Sequence, residues 1–268
     1  MTLRVIDVSS NQGNINVSRI DCDAVIVKGT GGTHYVNGNC DFIIQQCFKL
    51  NKPTGVYHYA HEYGNIYSPV VESNYFIHKC KNYFGKALVA LDYEVPINGR
   101  AYTQQDVEWC AKFIQNIIKR TGIIPLLYIS KSLLYGCNWS PVAHLNVGLW
   151  YAQYASNVNM GWISKPWDDG KSVKPFTPVL HQYTSHGKIK GYNGDLDLSL
   201  FYGNEQAWHK YAGSIDKHIT EKKTTTHNNN DYLTAIAKDV IAGKYGTGSE
   251  RKEKIYNAVQ NKVNQLSK

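Results

Sequence analysis

Ala87-Leu-Val-Ala-Leu-Asp-Tyr-Glu-Val95 reads as a buried strand that carries two carboxylates at its far end. A charge inside an apolar strand is costly unless it has a partner or a task. Asp92 and Glu94 are two residues apart, so their side chains leave the same face of the strand. At ~3.3 Å rise per residue their Cα atoms lie about 7 Å apart, within reach of one substrate bond. Paired carboxylates raise each other's proton affinity, so a neutral acid persists beside an ionised neighbour. Glycoside hydrolysis asks for that combination. The pair alone would serve equally to hold a divalent cation, or to be satisfied by Lys28 as a structural ion pair.

Working outward, similar apolar, β-branched runs recur on both sides. Leu3–Ser9, Ala24–Lys28 and Gly55–Tyr59 precede the acidic strand; Pro125–Ser130, Gly148–Tyr154, Pro178–Thr184 and Asp195–Phe201 follow it. Helical patterns fill the early gaps, over Cys40–Leu50 and from Ser68 to about Tyr83. A third opens on Thr103 with Asp106 three residues on, and stops at Gly122. Beyond Ser130 the gaps hold Gly, Pro, Trp and Asn with little helical period. Strands alternating with helices predict a parallel sheet. The expected fold is therefore α/β: an irregular (β/α) barrel of eight strands, with helices lacking around the last three, plus a small all-α C-terminal module. Sites in such barrels lie at the C-terminal ends of the strands. Asp7 and Asp197, each inside an apolar strand, join Asp92 and Glu94 as candidates.

Composition narrows the class. Twenty Tyr and six Trp suit a carbohydrate binder, whose flat rings stack on sugars, although many must simply fill the barrel. The net charge is +8, and from Lys217 onward 10 Lys/Arg stand against 5 Asp/Glu. A basic tail fits an anionic cell wall as well as nucleic acid, but arginines are few and no nucleic-acid motif is present. The ten histidines lack zinc-ligand spacing and no C-x-x-C pair occurs, so neither metal nor cofactor is expected. Cys22, Cys40, Cys47, Cys80, Cys110 and Cys137 read as reduced, mostly buried small hydrophobes. No signal-peptide pattern precedes Leu3 and no apolar run of ~18 residues occurs, so cytoplasmic synthesis without membrane insertion is expected.

Glu221–Asn230 is polar and low in complexity, a linker by composition. Past it, Leu233, Ile236, Ala237, Val240 and Ile241 share one helical face, and Ile255, Val259, Val263 and Leu266 another. The expected organisation is a barrel over 1–212, a linker over 213–230 and a helical module over 231–268.

Several segments together resemble the family 25 glycoside hydrolases, muramidases of phages and some bacteria. They are Val5-Ile-Asp7-Val-Ser-Ser-Asn-Gln12-Gly13, Val25-Ile-Val-Lys28-Gly-Thr30, Gly55-Val-Tyr57-His58-Tyr59 and Leu91-Asp92-Tyr-Glu94. Leu127-Tyr128-Ile-Ser, Leu149-Trp150-Tyr-Ala152-Gln153-Tyr154, His181-Gln182-Tyr183-Thr184-Ser185 and Gly194-Asp-Leu-Asp197-Leu continue the match. The resemblance implies Glu94 as general acid and Asp92 as its neighbour, stabilising positive charge or orienting an acetamido group. Asp7 and Asp197 would complete the acidic cluster. Tyr57, Tyr128, Trp150 and Tyr183 are candidates to stack on sugars, or else core; His58, Gln153 and Gln182 are candidates to hydrogen-bond substrate. Lys28 is expected to balance the cluster more than to touch glycan. Where the family has Lys-Ala-Thr-Glu-Gly, this chain has Lys28-Gly-Thr-Gly31-Gly32, so that loop should bind substrate differently or lack a salt bridge.

The tail, Ile236–Lys252 followed by Ala258–Leu266, is similar to the wall-binding repeats of choline-independent phage lysozymes, shortened between Lys254 and Asn257. One copy implies weak binding that self-association through the module, a homo-oligomer, would strengthen by avidity. The resemblance thus implies an endolysin cutting the β-1,4 bond between N-acetylmuramic acid and N-acetylglucosamine of bacterial peptidoglycan, acting on the wall after release. The alternative is a non-catalytic glycan-binding barrel, which would have no need of a buried carboxylate pair.

Overall fold

The computed structural model describes residues 2–62, 67–94 and 101–213, with Thr247, Gly248 and Arg251 beyond them. The chain divides into two compact units, Met1–Asp216 and Lys217–Lys268. Both helical faces expected in the tail lie outside the described residues.

All eight expected strands form. They are β1 (Leu3–Val8), β2 (Ala24–Gly31), β4 (Thr54–Tyr59), β5 (Leu88–Asp92), β6 (Leu126–Ser130), β7 (Gly148–Ala152), β8 (Thr177–Gly187) and β9 (Leu196–Phe201). A two-residue strand, β3 (Tyr35–Val36), hangs on β2 as a hairpin. Pairing of β1 with both β2 and β9 closes the sheet into a barrel. Apart from the β2–β3 hairpin, neighbours from β1 through β8 run parallel, but β9 is antiparallel to both β8 and β1. The expectation of a parallel sheet fails there for want of chain. Residues 188–195 are too few for a crossover, which takes a dozen or more.

Three helices back the first half: α1 (Cys40–Lys49), α2 (Pro69–Cys80) and α3 (Gln104–Thr121). In α3 the Thr103–Asp106 capping box satisfies the first turn. Gly122 ends it in the left-handed region at φ 73°. Its buried Val107, Cys110, Ala111, Ile114 and Ile117 fall on one helical face. Later gaps carry four-residue α4 (Ser140–Ala143) and, over 153–176, no described helix.

Strand alternation sorts the barrel into two cores. Leu3, Val5, Ala24, Ile26, Leu88, Ala90, Leu126, Leu180 and Phe201 fill the interior. Ile6, Val25, Val27, Val56, Val89, Leu91, Leu127 and Leu149 face outward into the layer that includes the helices. A short helix that sequence reading did not foresee, α5 (Glu205–Tyr211), shuts the lower end. Its Trp208 is fully buried and donates to the Thr54 carbonyl at 3.0 Å. No helix among the described residues is long and apolar enough to cross a membrane.

Candidate active site

Every barrel strand reaches the upper rim in a known register. Asp7 lies opposite Asp197 across the β1–β9 pair, and Asp92 pairs with Tyr59 on one side and Tyr128 on the other. Because β9 runs downward, its acid sits near its start, whereas Asp7 and Asp92 sit near strand ends. Glu94 lies two residues past the end of β5. Asp7, Asp92, Glu94 and Asp197 thus converge on one cavity of about 250 Å³, lined also by Tyr57, Tyr128, Trp150, Tyr154, Gln182 and Ser185. A second cavity, about 360 Å³, is lined by Glu94, Tyr128, Ser130, Ser132, Ala152, Gln153 and Tyr154. Glu94, Tyr128 and Tyr154 therefore border both.

The floor is polar and tied together. Gln182 donates to both Asp7 carboxylate oxygens, at 3.0 and 3.2 Å, and accepts from Tyr128 at 2.8 Å and Tyr154 at 2.5 Å. Trp150 is buried and donates to Ser199 at 3.2 Å, with Tyr128 packed edge-on at 4.7 Å, so it is floor and not a stacking platform. Asp92 Oδ1 is buried with no hydrogen-bond partner among the described residues.

Crowded carboxylates in a dry site hold their protons tightly. Burial, then the charges of Glu94 and Asp7, push Asp92 well above the usual range, with Lys28 pulling the other way. Burial and Asp197 raise Asp7, against the hydrogen bond from Gln182. Asp197 is pushed up to about 7 by burial and by Glu94. Glu94 is the most open of the four, yet partial desolvation still raises it against Lys28. The four titrate as a group, and at neutral pH the cluster carries fewer than four negative charges.

Three of the expected substrate contacts stand elsewhere. His58 neighbours Tyr57, and adjacent residues of a strand face opposite ways. His58 points outward, fully buried between Thr30 and Glu72. Tyr183, next to Gln182, is likewise outward and buried, its hydroxyl donating to the Gly161 carbonyl at 3.1 Å. Lys28 lines neither cavity; its ammonium pairs with Glu62 at 2.5 Å and lies over the rings of Tyr35 and Tyr59 at 4.7 and 4.5 Å. Of the two alternatives for the Gly31 loop, a missing salt bridge is therefore not what is seen: Lys28 has one, with Glu62. A Cβ on Gly31 would meet Glu62 Oε2 at 2.0 Å, so the absent side chain makes room for Glu62. Gln153 lines the larger cavity but is shared with Lys131 and the Asp169 main chain, at 3.2 and 3.3 Å. Tyr154, Ser185, Ser130 and Ser132 were not singled out from sequence. Tyr154 could have been, since it stands an even number of residues from Trp150 just past a strand with that inward parity.

Residues 6–192 match Glycosyl hydrolases family 25, and residues 234–266 match the CW_7 repeat. Over 280 aligned residues the chain is 29% identical to the lysozyme of Streptococcus phage Cp-7, covering 97% of this chain and 69% of that one. The bacterial lysozyme of Streptomyces coelicolor superposes with a TM-score of 0.63 at 22% identity, over 80% of this chain and 98% of that one. The catalytic domain of an endolysin from a Listeria monocytogenes bacteriophage superposes with a TM-score of 0.58 at 25% identity, over 80% and 98%. The chain belongs to glycosyl hydrolase family 25 and is a glycoside hydrolase of the lysozyme kind, acting on peptidoglycan.

Proposed function

We propose that the chain cleaves the β-1,4 bond between N-acetylmuramic acid and N-acetylglucosamine, with Glu94 as the general acid. The observation that carries this reading is the place of Glu94 on the boundary of two adjoining cavities. A glycosidic oxygen joins two sugars, so its proton donor must stand where two sugar sites meet. Glu94 is also the most accessible acid of the cluster, and desolvation raises its proton affinity against the pull of Lys28, the direction a general acid needs. Asp92, buried with one unpartnered oxygen, would take up either a substrate N–H or the positive charge developing at the sugar carbon. Asp7 and Asp197 extend the negative field across the rim, with Gln182 fixing Asp7. Tyr57 and Tyr128, held neutral by burial, remain donors at any ordinary pH.

In this reading the repeat at 234–266 holds the enzyme to the wall across a linker at 213–230, as an endolysin needs once it is released from the cytoplasm onto the wall. Pull-down on whole walls at raised salt checks that part: a specific module stays bound where charge alone is screened. For the reaction itself, mass analysis of borohydride-reduced wall digests decides. Reduced N-acetylmuramic acid at the new ends is the expected result; reduced N-acetylglucosamine would overturn the bond assignment.

A further inference from the structure

Glu94 stands beyond the last ladder bond of β5, so something other than the sheet must hold it. Tyr93 does so through its main chain and side chain. Its N–H donates to the Tyr128 carbonyl at 3.0 Å, its carbonyl accepts from the Tyr102 hydroxyl at 3.1 Å, and Tyr102 also reaches the Glu94 carbonyl. The Tyr93 ring turns outward, away from the cleft, and its hydroxyl donates to Asp106 of α3 at 2.7 Å. His61 Nε2 lies 3.3 Å from the same hydroxyl.

Behind His61 stands a fully buried carboxylate that the reaction does not use. Glu72, on α2, contacts His58 Nε2 at 3.0 Å and His61 Nδ1 at 3.1 Å, and accepts the His61 main-chain N–H at 3.1 Å. His58 is anchored in turn to Thr30 at 2.8 Å. A buried carboxylate is tolerated when its acceptor sites are filled, and both oxygens of Glu72 are engaged. The turn it holds is strained: His61 has φ 58°, a left-handed conformation uncommon outside glycine that persists when its surroundings fix it. The next residue is Glu62, the partner of Lys28.

We propose that Glu72 and Tyr93 are positioning residues for the cleavage step, a buried Glu72–His61–Tyr93–Asp106 brace that fixes the main chain under Glu94 and the Glu62 carboxylate that engages Lys28. The brace rests on the reading of Glu94 as the acid. It touches no substrate, so loosening it displaces the proton donor without removing any sugar contact. A displacement approaching 1 Å at a reacting group can cost ~10²-fold. Loss of one brace hydrogen bond moves Glu94 less, and we expect kcat to fall ~10-fold with KM within about 2-fold.

The test uses the full chain on soluble glycan oligomers, comparing Tyr93→Phe, Glu72→Gln, Glu94→Gln and Tyr83→Phe. Tyr83 is a matched control outside the brace, a tyrosine donating to Asp41 at 2.8 Å. Tyr93→Phe and Glu72→Gln should lose kcat at unchanged KM, with native circular dichroism, while Tyr83→Phe matches the parent. If Glu72→Gln does not fold, Tyr93→Phe decides alone, because it keeps the ring and its contacts with Trp109 and Tyr102. Parental kcat in Tyr93→Phe beside an inactive Glu94→Gln overturns the brace and leaves the acid standing. An active Glu94→Gln overturns the acid assignment instead. A rise in KM equal to the fall in kcat/KM also sinks the brace, since that would mark a lost binding contact.

Discussion

The two halves of the barrel hold their share of the rim by different means. On the helix-backed half, α1 and α2 pack on β2 and α2 packs on α3. The His58 ring of β4 lies against Phe76 of α2 and Phe113 of α3, and the buried Glu72 is sealed completely from water. On the other half no helix joins β7 to β8 among the described residues, and the segment 153–176 is latched instead. Lys131, 1% exposed, reaches out to Asp168 at 2.7 Å and Asp169 at 2.5 Å, both of which keep contact with solvent. His181, stacked on Tyr151 at 4.4 Å, lies 2.9 Å from the carbonyl of Gln153, where that segment begins. Asp92 and Glu94, the carboxylates proposed to react, stand on the sealed half; Gln153 and Tyr154 stand on the latched one. The contrast suggests a division of labour: the sealed half fixes the chemistry, and the latched half shapes the wall against which the glycan lies.

The largest effect belongs to the sealed half. Glu94→Gln keeps size and hydrogen bonding but removes the transferable proton, so lysis of wall suspensions should fall by ~10²- to 10⁴-fold. The melting temperature should hold, because Glu94 is the most exposed of the four acids. Near-normal lysis would move the acid elsewhere, and Asp92 would be the next to test.

On the latched half a smaller and different loss is expected. Lys131→Met leaves Asp168 and Asp169 without their cation, but both can rehydrate because neither is sealed. The segment should loosen around Gln153 and Tyr154, raising KM on glycan oligomers and lowering kcat/KM ~10-fold, short of what a full misplacement at the reacting bond costs. A fall in kcat at constant KM would contradict the division of labour, because it would place the latch on the chemistry.

The halves also differed in how far the sequence could be read. Strand runs and the capping signals of α3 were local, and each appeared where its residues predicted it. Asp7, Asp92, Glu94 and Asp197 were legible because a charge in an apolar strand is conspicuous. Which neighbour of a strand residue faces the cleft was legible too, but it required applying the alternation strictly. With Tyr57 inward, His58 had to be outward; with Gln182 inward, Tyr183 had to be outward. What could not be read was pairing across distance. Nothing local ties Glu62 to Lys28 or Lys131 to Asp168, since each contact joins residues more than 30 apart. The reversal of β9 followed from a short connection whose length was visible but whose consequence depends on barrel closure.

Asp197 permits a thermodynamic comparison of the rim with the rest of the fold. Its folded pKa is about 7, against an ordinary aspartate near 3.9 in the unfolded chain. Between those values the folded state binds the extra proton, so this group's contribution to stability falls as pH rises from about 4 to 7. Above that window the native protein carries the full cost of an ionised Asp197 beside its neighbours. Asp197→Asn removes that cost, so the variant should melt higher than the parent at pH 8 and alike at pH 4. Each kcal/mol recovered should raise Tm by about 2–4 °C in a domain of this size. Activity should fall at the same time, the usual trade between a strained site and a stable one. An equal Tm difference at both pH values would show that the gain comes from packing and not from charge.

The smallest expected effect is none at all, and it separates the halves once more. Cys22, Cys40, Cys47, Cys80 and Cys110 are buried and unpaired, all in the helix-backed part of the chain. Burial pushes the thiols of Cys22 up to about 11 and of Cys40 and Cys47 up to about 12, and Cys80 and Cys110 also upward. Thiolate is the reactive form, so these five should ignore both alkylating reagents and reductants while the fold is intact. Cys137 is half-buried, between β6 and α4 on the side where the helical cover thins. Iodoacetamide at pH 8 should therefore label one site per native chain, at Cys137, and excess reductant should leave Tm and lysis unchanged. Labelling at Cys80 or Cys110 under native conditions would mean that α2 and α3 open readily. In that case the sealed half is no more rigid than the latched one, and the contrast between them fails.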